Sequence, residues 1–197
     1  MSNIFLFLGH PAENSFCKAL ADAYQAGAEG AGARVRRMDV HDMAFNPDLT
    51  HGYHQRMELE PDLIAWRETV TEAKHIVIVY PQWWGGMPAK MKGVFDRAFL
   101  PGFAMNYHDK DPFWDRLLKG RTAEVFMTAD TPGWFDRIVY GQAAKKQINR
   151  LILDFSGIKP AGWNIVSSIK ASNEKKRKRW LKQAETAGRK AGARFAR

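Results

Sequence analysis

The sequence has a single cysteine, Cys17, so no disulfide can close within the chain and its stability must come from a packed core. No apolar run approaches the ~20 residues of a membrane-spanning helix. Tracts of low complexity and repeats at a fixed period are missing too, which excludes solenoids and long linkers. His51 and His54 lie close together but lack a third ligand at a regular spacing, so no metal site is expected. No pairing of nucleophile and base stands out. Even an excess of positive charge is missing from most of the chain. The formal net charge is +9, but residues 170–197 hold eleven Lys and Arg against Glu174 and Glu185, which leaves residues 1–169 neutral. A basic face confined to one terminal helix, without a nucleic-acid motif beside it, argues against nucleic acid as a partner.

What is present is enough for one core. At 197 residues and 45% apolar composition, the chain is expected to form a single domain over 1–197. It enters an apolar run almost at once, with no signal-peptide pattern, and with one cysteine this gives the expectation of a cytoplasmic protein. Short apolar runs predict strands over residues 4–8, 34–40, 76–79, 123–128 and 162–168. Ile76, Val77, Ile78 and Val79 are continuous rather than alternating, as in a strand covered on both faces. Arg34, Arg36 and Arg37 mark the second strand as an edge.

Helical spacing falls between the strands. One helix starts at Phe16, and another at Pro61 with Leu63, Trp66 and Val70 inward. A third starts at Pro88, with Met91, Val94, Phe95, Ala98 and Phe99 inward and Lys90, Lys92, Asp96 and Arg97 on the other face. A fourth buries Ile148, Leu151, Ile152 and Phe155, stopped by Gly157 and Pro160. The last carries Trp180, Leu181, Ala184, Ala187, Gly188 and Ala191, with Ser172 as N-cap. Alternation of this kind predicts an α/β doubly wound sheet of five parallel strands in the order 2-1-3-4-5, helices on both faces, with a ligand at the switch point between strands one and three.

Three loops would meet at that edge. After strand one, His10 to Ser15 leads into a helix whose first-turn amides suit a phosphate, although Asn14 and Ser15 read equally well as plain caps. Strand three is followed by Pro81, Gln82, Trp83, Trp84, Gly85 and Gly86, which combine flat aromatic bodies with close backbone approach and suit a large planar ring such as a flavin. The third loop, after strand four, reads Thr128, Ala129, Asp130, Thr131, Pro132, Gly133, Trp134, Phe135. Residues 41–60, with little periodicity, are expected to border the site.

Pro81, Trp83, Trp84, Gly86, Pro88, Lys92-Gly93, Phe95-Asp96-Arg97 and Gly102-Phe103-Ala104 through Tyr107 together resemble the flavodoxin-like NAD(P)H:quinone oxidoreductases, the mammalian quinone reductases and their bacterial relatives. His10, Ser15 and Phe16 fall in register with that family's flavin-phosphate site. In element order the resemblance covers nearly the whole chain, but its specific motifs are confined to residues 9–17, 75–107 and, more loosely, 128–141.

The resemblance implies a flavodoxin-like fold, FAD or FMN with FAD favoured, NAD(P)H as hydride donor, a quinone or similar aromatic acceptor, ping-pong exchange and a homodimer sharing the site. It assigns cofactor binding to His10, Asn14, Ser15, Phe16, Cys17, Pro81, Gln82, Trp83, Trp84, Gly85, Gly86, Thr128, Asp130, Thr131, Pro132 and Gly133. Phe103, Trp134 and Phe135 would wall the acceptor, with Tyr107 and Tyr140 as catalytic candidates. Tyr140-Gly141 stands where the larger enzymes have His-Gly, so hydride-relay roles do not transfer directly. Those enzymes' long carboxyl-terminal extension has no counterpart in the sequence, which leaves acceptor choice open. Two rival readings share the fold: a flavodoxin-type electron carrier, and an ancillary subunit of a potassium efflux transporter with a membrane partner. Such carriers are usually acidic and lack the insertion at 99–111.

Overall fold

The computed structural model describes residues 4–196, so the outermost ends of the expected 1–197 domain lie outside the described residues. Strands β1 (Ile4–Leu8), β2 (Val35–Asp39) and β3 (His75–Pro81) belong to the main sheet. A separate antiparallel ribbon follows, β4 (Met105–Tyr107) and β5 (Trp114–Arg116). Strands β6 (Thr122–Ala129) and β7 (Lys159–Ser167) then complete the parallel sheet, in the order β2-β1-β3-β6-β7. Counting only the five parallel strands, this is the expected 2-1-3-4-5, with β2 at an edge.

The helices are α1 (Phe16–Glu29), α2 (Pro61–Glu72), α3 (Ala89–Ala98), α4 (Gly133–Ile138), α5 (Ala143–Lys146) and α6 (Glu174–Phe195). β1 and β3 are buried along their whole length and feed two cores, because successive side chains point to opposite faces. On one face Phe5, Phe7, Ile76 and Ile78 pack with Trp66 and Phe95, and the Trp66 ring lies edge-on to Phe7 at 5.6 Å and to Phe95 at 5.8 Å. On the other, Ile4, Leu6, Val77, Val79 and Phe126 lie beneath α1 and α6.

Four local expectations are corrected. Arg97 is buried, not on an outer face: its guanidinium donates to Glu60 Oε2 at 2.9 Å and to the Glu58 carbonyl at 2.7 Å, which substitutes for water and pins the 41–60 loop against α3. Leu151 is 68% exposed, because α5 runs on as a π-helical stretch over Gln147–Asp154. That wider winding breaks the ordinary helical spacing and turns Leu153 inward in place of Leu151, while Ile148 is buried as expected. Gly157, at φ 94°, ends the segment, while Pro160 sits in the edge strand β7, where its missing N–H costs no ladder bond in a central strand. The cap of α6 is Asn173, whose Oδ1 accepts from Lys176 N at 2.9 Å; Ser172 instead donates to the Ile169 carbonyl.

Candidate active site

The loops that leave β1, β3 and β6 are tied to one another at the carboxyl edge of the sheet. Gly9 N–H donates to Val79 O at 2.8 Å, and Gln82 N–H donates to Thr128 O at 2.8 Å. A side chain at Gly9 would collide with Met91 and Tyr80, so glycine is what lets the first loop pass over α3.

In the first loop Ser15 caps α1, its Oγ accepting from Lys18 N at 3.1 Å. Phe16 and Cys17 contribute the first-turn N–H groups, which an α-helix leaves without an internal acceptor. These donors, with the positive end of the helix dipole, face the loop. The Cys17 side chain turns the other way, into the core, with Sγ 3.2 Å from Thr128 Oγ1. Burial pushes its thiol up to about 12, so only the backbone of Cys17 is available to a ligand. Nδ1 of His10 accepts from Ala12 N at 3.0 Å, and its ring meets Trp83 edge-on at 5.7 Å. Burial lowers the His10 pKa, which favours the neutral ring. His41, which anchors Pro11 O at 2.9 Å, and Lys90, which donates to His41 O at 3.2 Å, brace this loop from the 41–60 side. His51 and His54 are exposed on a turn farther along.

The second loop is a tight reverse turn. Trp83 and Gly86 exchange backbone bonds at 2.9 and 3.0 Å, and the two residues between them, Trp84 and Gly85, have φ of 49° and 77°. Left-handed backbone is ordinary for Gly85, but for a tryptophan it costs on the order of 1–3 kcal/mol. Trp84 is fully exposed, so no burial in this chain offsets that strain. The third loop is fastened to the β7 exit: Asp130 accepts from Lys170 N at 3.0 Å and pairs with its Nζ at 3.2 Å. Trp134 is exposed and meets Phe135 edge-on at 5.5 Å, and Phe135 in turn meets Tyr140 at 5.1 Å.

Thus residues 10–17, 81–86 and 128–135 are brought to one edge. Phe103 takes its contacts elsewhere: Arg67 lies over its ring at 4.0 Å and Phe99 is 6.0 Å away, on the α2 side. Tyr107 is exposed on the ribbon, 6.4 Å from Phe155. One residue that the sequence reading passed over is Asp136, a buried carboxylate 3.5 Å from Gln82 Nε2, which joins the third loop to the second. The available signal was an acidic residue in the first turn of a short helix after a glycine loop.

An uncharacterized NAD(P)H oxidoreductase of Haemophilus influenzae is 30% identical over 131 residues, 65% of this chain and 64% of that one. The guinea pig (Cavia porcellus) NAD(P)H dehydrogenase [quinone] 1 is 28% identical over 134 residues, 56% of this chain and 49% of its own. The chain therefore spans about half to two thirds of these curated relatives. Among solved structures, a Streptococcus mutans protein superposes with a TM-score of 0.80 at 26% identity, covering 95% of this chain and 99% of the other. The NAD(P)H:quinone oxidoreductase from Methanothermobacter marburgensis gives 0.79 at 25%, covering 95% and 98%. A profile of the flavodoxin-like fold matches residues 2–189, and the chain belongs to that family.

Proposed function

We propose that this chain is a flavin-dependent NAD(P)H:quinone oxidoreductase, carrying a hydride from NAD(P)H through a bound flavin to a quinone or similar aromatic acceptor. The observation that carries the reading is the meeting of three loops at the switch point, one presenting helix-start amides and the others exposed tryptophans. The names of relatives that include the guinea pig and Methanothermobacter enzymes support it. The flavin supplies the hydride chemistry, and the protein's task is to bind, orient and stack. In this reading the Phe16 and Cys17 amides hold phosphate, flanked by His10, Asn14 and Ser15. Pro81 to Gly86 follow the ring on one side; Thr128 and Asp130 to Gly133 close the other. Thr128 acts through its backbone, since its hydroxyl is occupied by Cys17. Trp84, Trp134 and Phe135 wall the acceptor slot, with Tyr107 and Tyr140 at its margin; Phe103 supports the ribbon from behind.

The exposed apolar side chains of Tyr107, Phe113, Ile138, Val139, Tyr140 and Leu151 support a homodimer in which a second copy covers this edge. No helix among the described residues is long and apolar enough to cross a membrane, and the one thiol is buried, which fits a cytoplasmic enzyme. FMN needs only ring and phosphate contacts, whereas FAD, which the resemblance favours, needs further contacts for its adenylate. Steady-state kinetics with NADH, NADPH and a benzoquinone test the activity. Saturable, flavin-dependent quinone reduction is expected. A protein that holds flavin and titrates in two separate one-electron steps, with no NAD(P)H oxidation, is instead an electron carrier.

A further inference from the structure

A cavity of about 650 Å³ lies under α6, toward the ends of β3 and β6 where those strands begin and away from the three-loop edge. That volume lies in the usual range for small-molecule sites. Its floor is Glu124 on β6 and Asn164 on β7; its wall is one side of α6; His75, the first residue of β3, closes one end. Nothing in the proposed redox reaction uses it.

The floor offers the Glu124 carboxylate as an acceptor. Asn164 Nδ2 donates to Glu124 Oε1 at 2.9 Å and to Val125 O at 3.4 Å, which uses both of its amide protons. Thr122 Oγ1 holds His75 Nδ1 at 2.7 Å, which leaves Nε2 as the second ring nitrogen. His75 is 4% exposed, stacks on Phe195 at 5.0 Å and 13°, and its Nε2 has no hydrogen-bond partner. An orphaned buried ring nitrogen of this kind is uncommon in a finished core. Burial and the nearby Arg194 depress the His75 pKa to about 4, so the ring is neutral at ordinary pH. The wall above carries Arg179, Lys182, Lys190 and Arg194; Lys190 and Arg194 lie one helical turn apart and close no ion pair among the described residues, while Lys190 acts on Glu124 electrostatically.

We propose that this cavity binds a small organic phosphate bearing hydroxyl or amine donors, the class of sugar phosphates and nucleoside monophosphates. The phosphate sits between Lys190 and Arg194, and the donor-rich body lies on Glu124, Asn164 and His75. Cations one turn apart suit a phosphate, and the Glu124 carboxylate selects a ligand that supplies donors.

Calorimetric titration of the full chain with ribose 5-phosphate, adenosine monophosphate and inorganic phosphate tests this. Saturable one-to-one binding of an organic phosphate below about 1 mM is expected, weaker by about tenfold or more in the Lys190→Ala/Arg194→Ala variant. Glu124→Gln is expected to weaken ribose 5-phosphate but not inorganic phosphate. Lys175, about 28 Å along the helix from Arg194 and outside the cavity lining, is a control whose replacement by alanine leaves a short ligand's affinity within about twofold. Ser15→Glu is expected to leave binding intact, because that residue lies at the three-loop edge. Thermal melting checks that each variant is folded. No saturation, equal affinity in the double variant, loss of binding in Ser15→Glu, or binding of long polyanions alone would each overturn the proposal.

Discussion

The seam between α1 and α6 and the carboxyl edge of the sheet treat side-chain size in opposite ways. Along the seam the smallest residues are the most buried: a methyl group built on Gly188 would strike the Tyr24 carbonyl, and one on Gly27 would strike the Glu185 carbonyl. At the edge the largest residues are bare, with Trp83, Trp84, Trp134 and Tyr140 all exposed. The seam brings two backbones together and leaves no surface to spare. The edge keeps aromatic area in water at a cost in stability, which makes sense only if something else covers it. Stability and binding are thus separated in space on one sheet.

Breaking the seam should have the largest effect. Gly188→Val forces backbone apart from backbone, and a loss of about 3 kcal/mol follows from overpacking of this severity, a fall in Tm of roughly 6–12 °C for a domain of this size. Thermal denaturation measures it; a drop under a degree would show that the helices do not touch there. A second probe, of the sheet beneath α6, is pH. His75, stacked under Phe195 of α6, has its pKa lowered from 6.5 to about 4. The unfolded chain therefore takes up a proton that the folded chain refuses. Stability is full above pH 6.5 and is lost as pH falls toward 4, by up to about 3 kcal/mol. His75→Gln, which keeps a polar partner for Thr122, should flatten the pH profile between those values in urea melts. An unchanged slope would remove His75 from the account.

Burial in the fold was only partly legible in the sequence. The five parallel strands were legible because continuous β-branched runs have few other uses, and the arginines of β2 gave away its edge position. Gly188 was legible as part of an apolar helical stripe. Arg97 was not: its burial depends on Glu60, 37 positions away, and local periodicity carries no trace of such a partner. Leu151 was misplaced because a π-helical stretch shifts the register without changing composition. At the edge, the three loops could be read from glycine, proline and tryptophan spacing. The contacts of Phe103 with Arg67 and of Asp136 with Gln82 are tertiary, and nothing in the local pattern announces them.

At the edge, smaller effects of opposite sign are expected. Trp84→Asn puts a residue that tolerates left-handed backbone at φ 49° and should stabilise the protein by about 1 kcal/mol while lowering quinone turnover. Loss of stability in the melt would make Trp84 a packing residue and erase the contrast between the two regions. Tyr107→Ala should cut kcat/KM for a benzoquinone by roughly three- to tenfold, the worth of one aromatic contact, with flavin content and sizing-column behaviour unchanged. A variant that becomes monomeric and loses flavin would assign Tyr107 to the subunit interface instead.

The central claim is that the edge holds a flavin on the first turn of α1, and flavin released by heat from purified protein tests it most directly. Wild-type protein should be yellow and release about one FMN or FAD per chain. Ser15→Ala should lose about 1 kcal/mol of helix capping but keep its flavin, and Ser15→Glu, with a like charge where the phosphate sits, should be colourless. A colourless wild type that takes up neither flavin, or a Ser15→Glu protein with undiminished flavin, would contradict the account.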